Sequence, residues 1–221
     1  MSTSGTRSFN VDVSEIIEEA FERCGLEVRT GYDATTARRS LNIMVAEWAN
    51  RGLNLWTVTE GTTTLTQGVA DYTLSADVID LLDVVLRRNG TDYELGRISR
   101  GEYLTLPNKT TQGRPSQFFF DRTITPTIKL WANPENSTDE LVYYYSRRIE
   151  DAGAFVNNMQ VPFRFYPCMV AGLAYYMAMK RAPERVAMLK AVYEEEFTRA
   201  AEEDEDRVPL KLQPSARYMR V

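Results

Sequence analysis

YPCMVAGLAYYMAM, residues 166–179, contains no charged residue, and apolar or small side chains fall on every face of the helix it would form. A helix that is apolar all round is either buried on all sides or sits in a membrane. The uncharged run is 14 residues long, whereas a spanning helix needs about 20, so burial in protein is predicted. Ala171, Gly172, Ala174 and Ala178 are small enough for neighbouring helices to approach closely. The stretch therefore reads as the central helix of a bundle, and the partners that cover it must lie elsewhere in the chain.

After it, the pattern breaks at Ala182-Pro183, and a last helix is expected from Glu184 to about Glu205. Its apolar positions Val186, Leu189, Val192, Tyr193, Phe197 and Ala200 keep helical spacing. Two further helices are signalled near the N-terminus, after a polar stretch over residues 1–10. In the first, Val13, Ile16, Ile17, Ala20, Phe21 and Cys24 follow i, i+3, i+4, i+7 spacing, and Gly25 suits the position just past the end. Glu15, Glu18, Glu19, Glu22 and Arg23 form its solvated face. The second is expected from an N-cap near Asp33 to about Arg51, with Gly52 as its stop and Ala37, Leu41, Met44, Val45 and Trp48 on its apolar face.

Between the helix pairs the composition changes. From Thr57 to about Ile149 the chain is rich in Thr, Val, Tyr and Phe and punctuated by Gly, Pro and Asn, which is strand composition. Strands are predicted over Thr57–Leu65, Tyr72–Leu74, Leu82–Arg88, Tyr93–Ile98, Ser116–Arg122, Thr127–Trp131 and Leu141–Arg147. Asn89-Gly90 is the strongest short hairpin signal. Ser99 and Glu102 form a capping box ahead of a short helix to Leu104. Pro115, Pro126 and Pro134 bound strands rather than interrupt them. The expected fold is α+β: a mainly helical bundle from residues 11–56 and 160–206, an inserted small antiparallel β domain over 57–150, and an extended C-terminal tail over 207–221.

Function is first narrowed by what is missing. The chain has no histidine, which removes Ser-His-Asp and Cys-His catalysis and histidine-based metal sites. It has no phosphate-binding G-x-x-x-x-G-K-[ST] loop, no G-x-S-x-G elbow and no C-x-x-C pair. Cys24 and Cys168 fall on apolar helix faces and read as reduced core thiols. The start, MSTSGTRSFNVD, lacks the apolar core of a signal peptide. A formal net charge of -5 argues against a general nucleic-acid binder. Arg38-Arg39, Arg87-Arg88 and Arg147-Arg148 are isolated pairs, read as solvated turns or subunit contacts, with the lining of a passage in a ring assembly, where symmetry multiplies a few charges, as the alternative. Asp71, Asp121 and Glu150 are loop carboxylates with no partner that the sequence identifies. No metal or cofactor is called for.

The C-terminal end carries an unusual charge pattern. Glu194, Glu195, Glu196, Glu202, Glu203, Asp204, Glu205 and Asp206 stand against one Arg199. Carboxylates at a helix C-terminus meet the negative end of the dipole and cost on the order of 0.3–1 kcal/mol each, so a basic neighbour is expected. Glu202, Glu203, Asp204, Glu205 and Asp206 are therefore the candidate acidic patch. The next segment inverts the sign, with Arg207, Lys211, Arg217 and Arg220 among the apolar Val208, Leu210, Leu212, Tyr218, Met219 and Val221. An extended segment of this kind suits docking onto a partner and ordering there.

Taken together, several segments resemble the head-to-tail adaptor proteins of short-tailed bacteriophages, which include the head completion (packaged-DNA stabilisation) proteins and, more distantly, the tail tubular A proteins. The segments are LNIMVAEWANRGLNLW (Leu41–Trp56), TLTQGVADYTL (Thr64–Leu74), GRPSQFFFD (Gly113–Asp121), IKLWANP (Ile128–Pro134) and the closing acidic helix with its short tail. The resemblance implies a structural virion protein of the phage neck, made in the host bacterial cytoplasm and not an enzyme. It implies a ring of twelve subunits that binds the portal protein on one side and the tail nozzle protein on the other. Such a ring prolongs the channel through which DNA passes during ejection, without sequence-specific binding and without a membrane span. It also implies that the tail, through Arg207, Leu210, Lys211, Leu212, Arg217, Tyr218 and Arg220, reaches along the portal, with the acidic patch facing the portal or a neighbouring subunit. Some such proteins are credited with peptidoglycan hydrolysis, so a carboxylate-dependent, virion-associated hydrolase is the alternative.

Overall fold

The computed structural model describes residues 3–6, 9–52 and 55–204. Helix α1 (Val13–Arg23) opens with a capping box in which the Asp12 carboxylate accepts the Glu15 N–H at 2.8 Å and Glu15 accepts the Asp12 N–H at 3.1 Å. Helix α2 (Gly31–Trp48) starts earlier than the sequence pattern suggests. Its N-cap is Thr30, and Asp33 is the third residue of the helix, where it closes the capping box by accepting the Thr30 N–H. Asp33 also receives the Arg29 N–H at 3.2 Å and pairs with Arg181 at 2.5 Å. Its carboxylate thus serves the helix start from inside the first turn rather than from the cap.

Helix α4 (Tyr166–Arg181) is the predicted central helix. Pro167 in its first turn costs no helical hydrogen bond. Cys168, Met169, Ala171, Leu173, Ala174, Met177 and Ala178 are all fully buried. α1 and α2 pack against it, as does α5 (Val186–Glu203), which follows a single 3₁₀ turn over Pro183–Arg185. A Cβ added at Gly172 would strike the Met44 thioether and lie 2.7 Å from Cε2 of Tyr193. The absence of a side chain there is what lets α2 and α5 both close on α4. Trp48, Phe165, Tyr193 and Phe197 fill the adjoining volume, with ring centroids 5.6 Å apart for Trp48–Phe165 and 5.7 Å for Trp48–Phe197.

The intervening segment folds as strands on which one face alternates inward. β1 (Val58–Thr64), β3 (Val78–Arg88), β4 (Thr91–Glu94) and β10 (Glu140–Arg147) make an antiparallel sheet in the order β1-β10-β3-β4. The β3–β4 hairpin turns at Asn89-Gly90, with φ of 52° and 76°, so both residues take the left-handed conformation that a two-residue turn of this type demands. A second sheet, β2-β8-β7-β5, is built from β2 (Asp71–Thr73), β5 (Gly96–Arg97), β7 (Gln117–Asp121) and β8 (Thr127–Trp131). The short helix α3 (Arg100–Thr105) carries the expected Ser99–Glu102 capping box. β6 (Gln112–Gly113) and β9 (Asn133–Pro134) form a small parallel pair, and β5 with β7 is parallel as well. These two pairings depart from the antiparallel expectation, and Pro134 lies inside one of them.

Leu86, Leu141 and Tyr143 from the first sheet meet Tyr72, Phe118, Ile128 and Leu130 from the second to form an apolar cluster distinct from that of the helices. At its rim, Asp139 is fully buried and accepts from Arg88 at 2.7 and 3.0 Å, while Glu135 takes another nitrogen of the same guanidinium at 2.8 Å.

Candidate docking surfaces

Three places gather charge in a way that local secondary structure does not require. The first is the end of α5. Asp204 caps the helix but turns inward: it is 6% exposed, accepts the Leu55 N–H at 2.9 Å and pairs with Arg164. Of the predicted acidic patch, only Glu202 and Glu203 stand exposed on the described chain. Glu205 and Asp206 lie outside the described residues, as do Arg207, Leu210, Lys211, Leu212, Arg217, Tyr218 and Arg220 of the predicted tail. The basic neighbours expected for the acidic helix are supplied within the chain: Arg164 for Asp204, Arg199 for Glu195 and Glu196, and Arg51 for Glu194. None of these partners is signalled by spacing except Arg199, which lies one turn from Glu195 on the same helix.

Arg51 sits at the centre of the second place, the seam between α2 and α5. Its guanidinium gives two parallel hydrogen bonds to Glu194 at 2.6 and 2.9 Å and a third to Glu47 at 2.6 Å. It lies over the rings of Tyr193 and Phe197, 4.8 and 4.6 Å from their centroids. The Tyr193 hydroxyl accepts from Trp48 Nε1 at 2.8 Å and donates to Glu47 at 3.1 Å. The hydrogen bonds from Arg51 hold the Glu194 carboxyl below its ordinary pKa, and burial pushes the Tyr193 phenol up. Each polar group named here is bonded within the seam.

The third place is a groove between the outer side of α2 and the chain that follows β10. The Arg38-Arg39 pair and Arg148, far apart in sequence, come together here. One section of about 390 Å³ is lined by Thr35, Arg38, Arg39, Asn42, Ile43, Ala46, Arg148 and Asp151. It continues into a section of about 280 Å³ that adds Ile79 and Arg122. The wall is built by two ties across the groove floor: Arg38 donates to the Gly153 carbonyl at 3.0 Å, and the Ala152 N–H donates to Asn42 at 2.7 Å. Among the described residues, neither Arg39 nor Arg148 makes an ion pair, and both are exposed. The third pair behaves differently. Arg87 is held by Asp92, and Arg88 by Asp139 and Glu135.

The loop carboxylates are dispersed. Asp71 pairs with Lys129, Asp121 with Arg100, and Glu150 lies 3.9 Å from Arg147. Both cysteines are buried in the helical cluster, where their thiols donate to the Ala174 and Phe165 carbonyls and burial raises their pKa. Among the described residues there is no group of three or more side chains suited to hold a metal ion, and no helix is long and apolar enough to cross a membrane.

The family model described as SU10 adaptor protein matches residues 11–217, which is nearly the whole chain. No curated protein matches it.

Proposed function

We propose that this chain, which belongs to the SU10 adaptor protein family of phage head-tail adaptors and is therefore a structural protein of the virion, joins the portal to the tail nozzle as a ring of twelve subunits and lengthens the channel for DNA ejection. The reading treats the helical residues 11–56 and 160–206 as the body of the ring, the strands of 57–150 as an inserted unit facing the nozzle, and 207–221 as the portal-docking segment. DNA passes through the ring without sequence-specific contacts.

The observation that carries it is the reversal of charge at the end of α5, inside the span that the family model matches. Bonds from Arg164 and the Leu55 N–H hold Asp204, the last described residue. Glu202 and Glu203 stand exposed beside it. A basic, apolar segment that follows an acidic helix end in sequence suits docking on an acidic surface of a partner.

The test is the mass of the purified chain by light scattering, alone and with portal, for the full length and for a chain ending at Asp206. The full-length chain is expected to form a ring on the portal, and the shortened chain is expected to stay monomeric with an unchanged circular dichroism spectrum. A full-length chain indifferent to portal overturns the reading.

A further inference from the structure

We infer that the arginine groove beside α2 is a subunit interface whose occupant is the outer stripe of α5 from a second copy of this chain. The inference rests on the ring reading above and names the two surfaces that would close it.

On α2, the side turned away from the helical core carries Tyr32, Arg39, Ile43 and Ala46 at helical spacing. Tyr32 is 74% exposed and Ile43 is 54% exposed. On α5, the side turned away from the core carries Met188, Val192, Glu195, Arg199 and Glu202, with Met188 57% exposed and Glu195 paired to Arg199. Single exposed apolar residues are ordinary. Two helices of 18 residues each, both presenting apolar side chains in line with charges of opposite sign, are less so. Arg39 and Arg148 have no carboxylate partner on the described chain, and the α5 stripe, with Glu195 and Glu202 against Arg199, is net acidic.

The alternatives fit the groove less well. Asp151 lines it together with Ile43 and Ile79. Arginine over an apolar floor is the composition of protein interfaces. The chain's own segment after α5 carries Arg207, Lys211, Arg217 and Arg220 and would meet like charge. Two α5 stripes facing one another would set carboxylate against carboxylate. The α2 groove and the α5 stripe are different surfaces of one molecule, so their pairing is head-to-tail, the type of contact that generates rings.

The experiment is a charge exchange in the full-length chain. One variant carries Arg39→Glu and Arg148→Glu, and the other carries Glu195→Lys and Glu202→Lys. Oligomer is measured by light scattering at matched concentration, with portal added if the wild type needs it. Each variant alone is expected to lose at least about tenfold in the oligomeric fraction, since like charges across an interface are strongly unfavourable. An equal mixture is expected to recover it, because every groove then faces a complementary stripe. Recovery on mixing cannot come from misfolded chains. As a second measurement, Ile43→Cys and Val192→Cys chains are expected to cross-link to each other under oxidation, with the native Cys24 and Cys168 buried and silent. Variants that assemble like the wild type, or a mixture that does not recover, overturn the proposal while leaving the ring reading intact. A groove variant that assembles normally but loses binding to a double-stranded DNA probe also overturns it and assigns the groove to nucleic acid. A wild type that never assembles, with or without portal, overturns the ring reading itself.

Discussion

The two apolar clusters of this molecule solve the problem of burial in opposite ways. In the helical cluster the polar groups line a half-buried seam, with Trp48 and Tyr193 at its buried end. Trp48, Tyr193, Glu47, Arg51 and Glu194 form one chain of hydrogen bonds threaded between α2 and α5. In the β cluster the interior is Leu, Val, Ile, Phe and Tyr, and the ionic work is done at the rim, where Asp139, Arg88 and Glu135 tie the end of β3 to the approach to β10. The difference follows from geometry. Helices crossing a glycine come so close that long side chains must run along the seam, and each polar head buried there needs a partner. Paired strands satisfy their own backbone, so only the ends of the sheet need side-chain help.

The comparison breaks most readily at Gly172. Gly172→Val places branched carbons where the Tyr193 ring and Met44 already sit. The ring cannot yield, since its hydroxyl is bonded to both Trp48 and Glu47. A loss of about 3 kcal/mol is expected, read as a drop in the denaturant midpoint with unchanged slope. An unchanged midpoint would mean that the seam is looser than its contacts indicate. On the β side, Asp139→Ala removes the buried partner of Arg88 and is expected to cost about 2–3 kcal/mol, less than a fully buried pair because Glu135 and solvent still reach the guanidinium. Hydrogen exchange should then rise in β3 and β10 before it rises in α4.

Tyr193→Phe leaves Trp48 Nε1 buried without its acceptor, for which about 1–2 kcal/mol is expected. A smaller effect would show that Glu47 can swing to take the bond. Acid sharpens the contrast further. Hydrogen bonds from Arg181 and Arg51 lower the pKa of Asp33 and Glu194 in the helical cluster, and a bond from Arg87 lowers that of Asp92 on β4. A carboxylate whose pKa is lower in the folded than in the unfolded chain stabilises above the unfolded value. That contribution is lost as pH falls through the folded one. Stability should therefore decline below about pH 4, and Asp33→Asn should flatten the decline in a series of denaturant titrations. The smallest effect is expected at the hairpin, where Asn89→Ala puts a less tolerant residue at φ 52° and should cost about 1 kcal/mol. An equal loss at Gly172 and at Asn89 would erase the distinction between a packed seam and a local turn.

Much of this was legible wherever the chemistry is local. The Ser99–Glu102 capping box, the Asn89-Gly90 turn and the apolar sides of α1 and α5 each depend on residues within a few positions of one another. Reading Asp33 as an N-cap missed the mark by one turn, because Thr30 and Asp33 share the capping box and either side chain advertises a helix start. The two-residue parallel pairs β5–β7 and β6–β9 left no trace, since two residues carry no periodicity. The docking surfaces were legible only in part. The acidic end of α5 was visible as composition, but the inward turn of Asp204 and the meeting of Arg38 and Arg39 with Arg148 depend on contacts across the length of the chain.

By itself the sequence determined that one helix must be buried over most of its surface, though Met179 at its end is exposed, that helices flank a strand-rich middle, and that charge inverts near the C-terminus. These follow from side-chain polarity and spacing, which act before the chain has folded. Only the tertiary structure decided which charges are spent. Arg51, Arg88 and Arg164 look no different in sequence from Arg39 and Arg148, yet among the described residues the first three are held by carboxylates and the last two are not. An ion pair depends on distance in space, and the fold sets that distance.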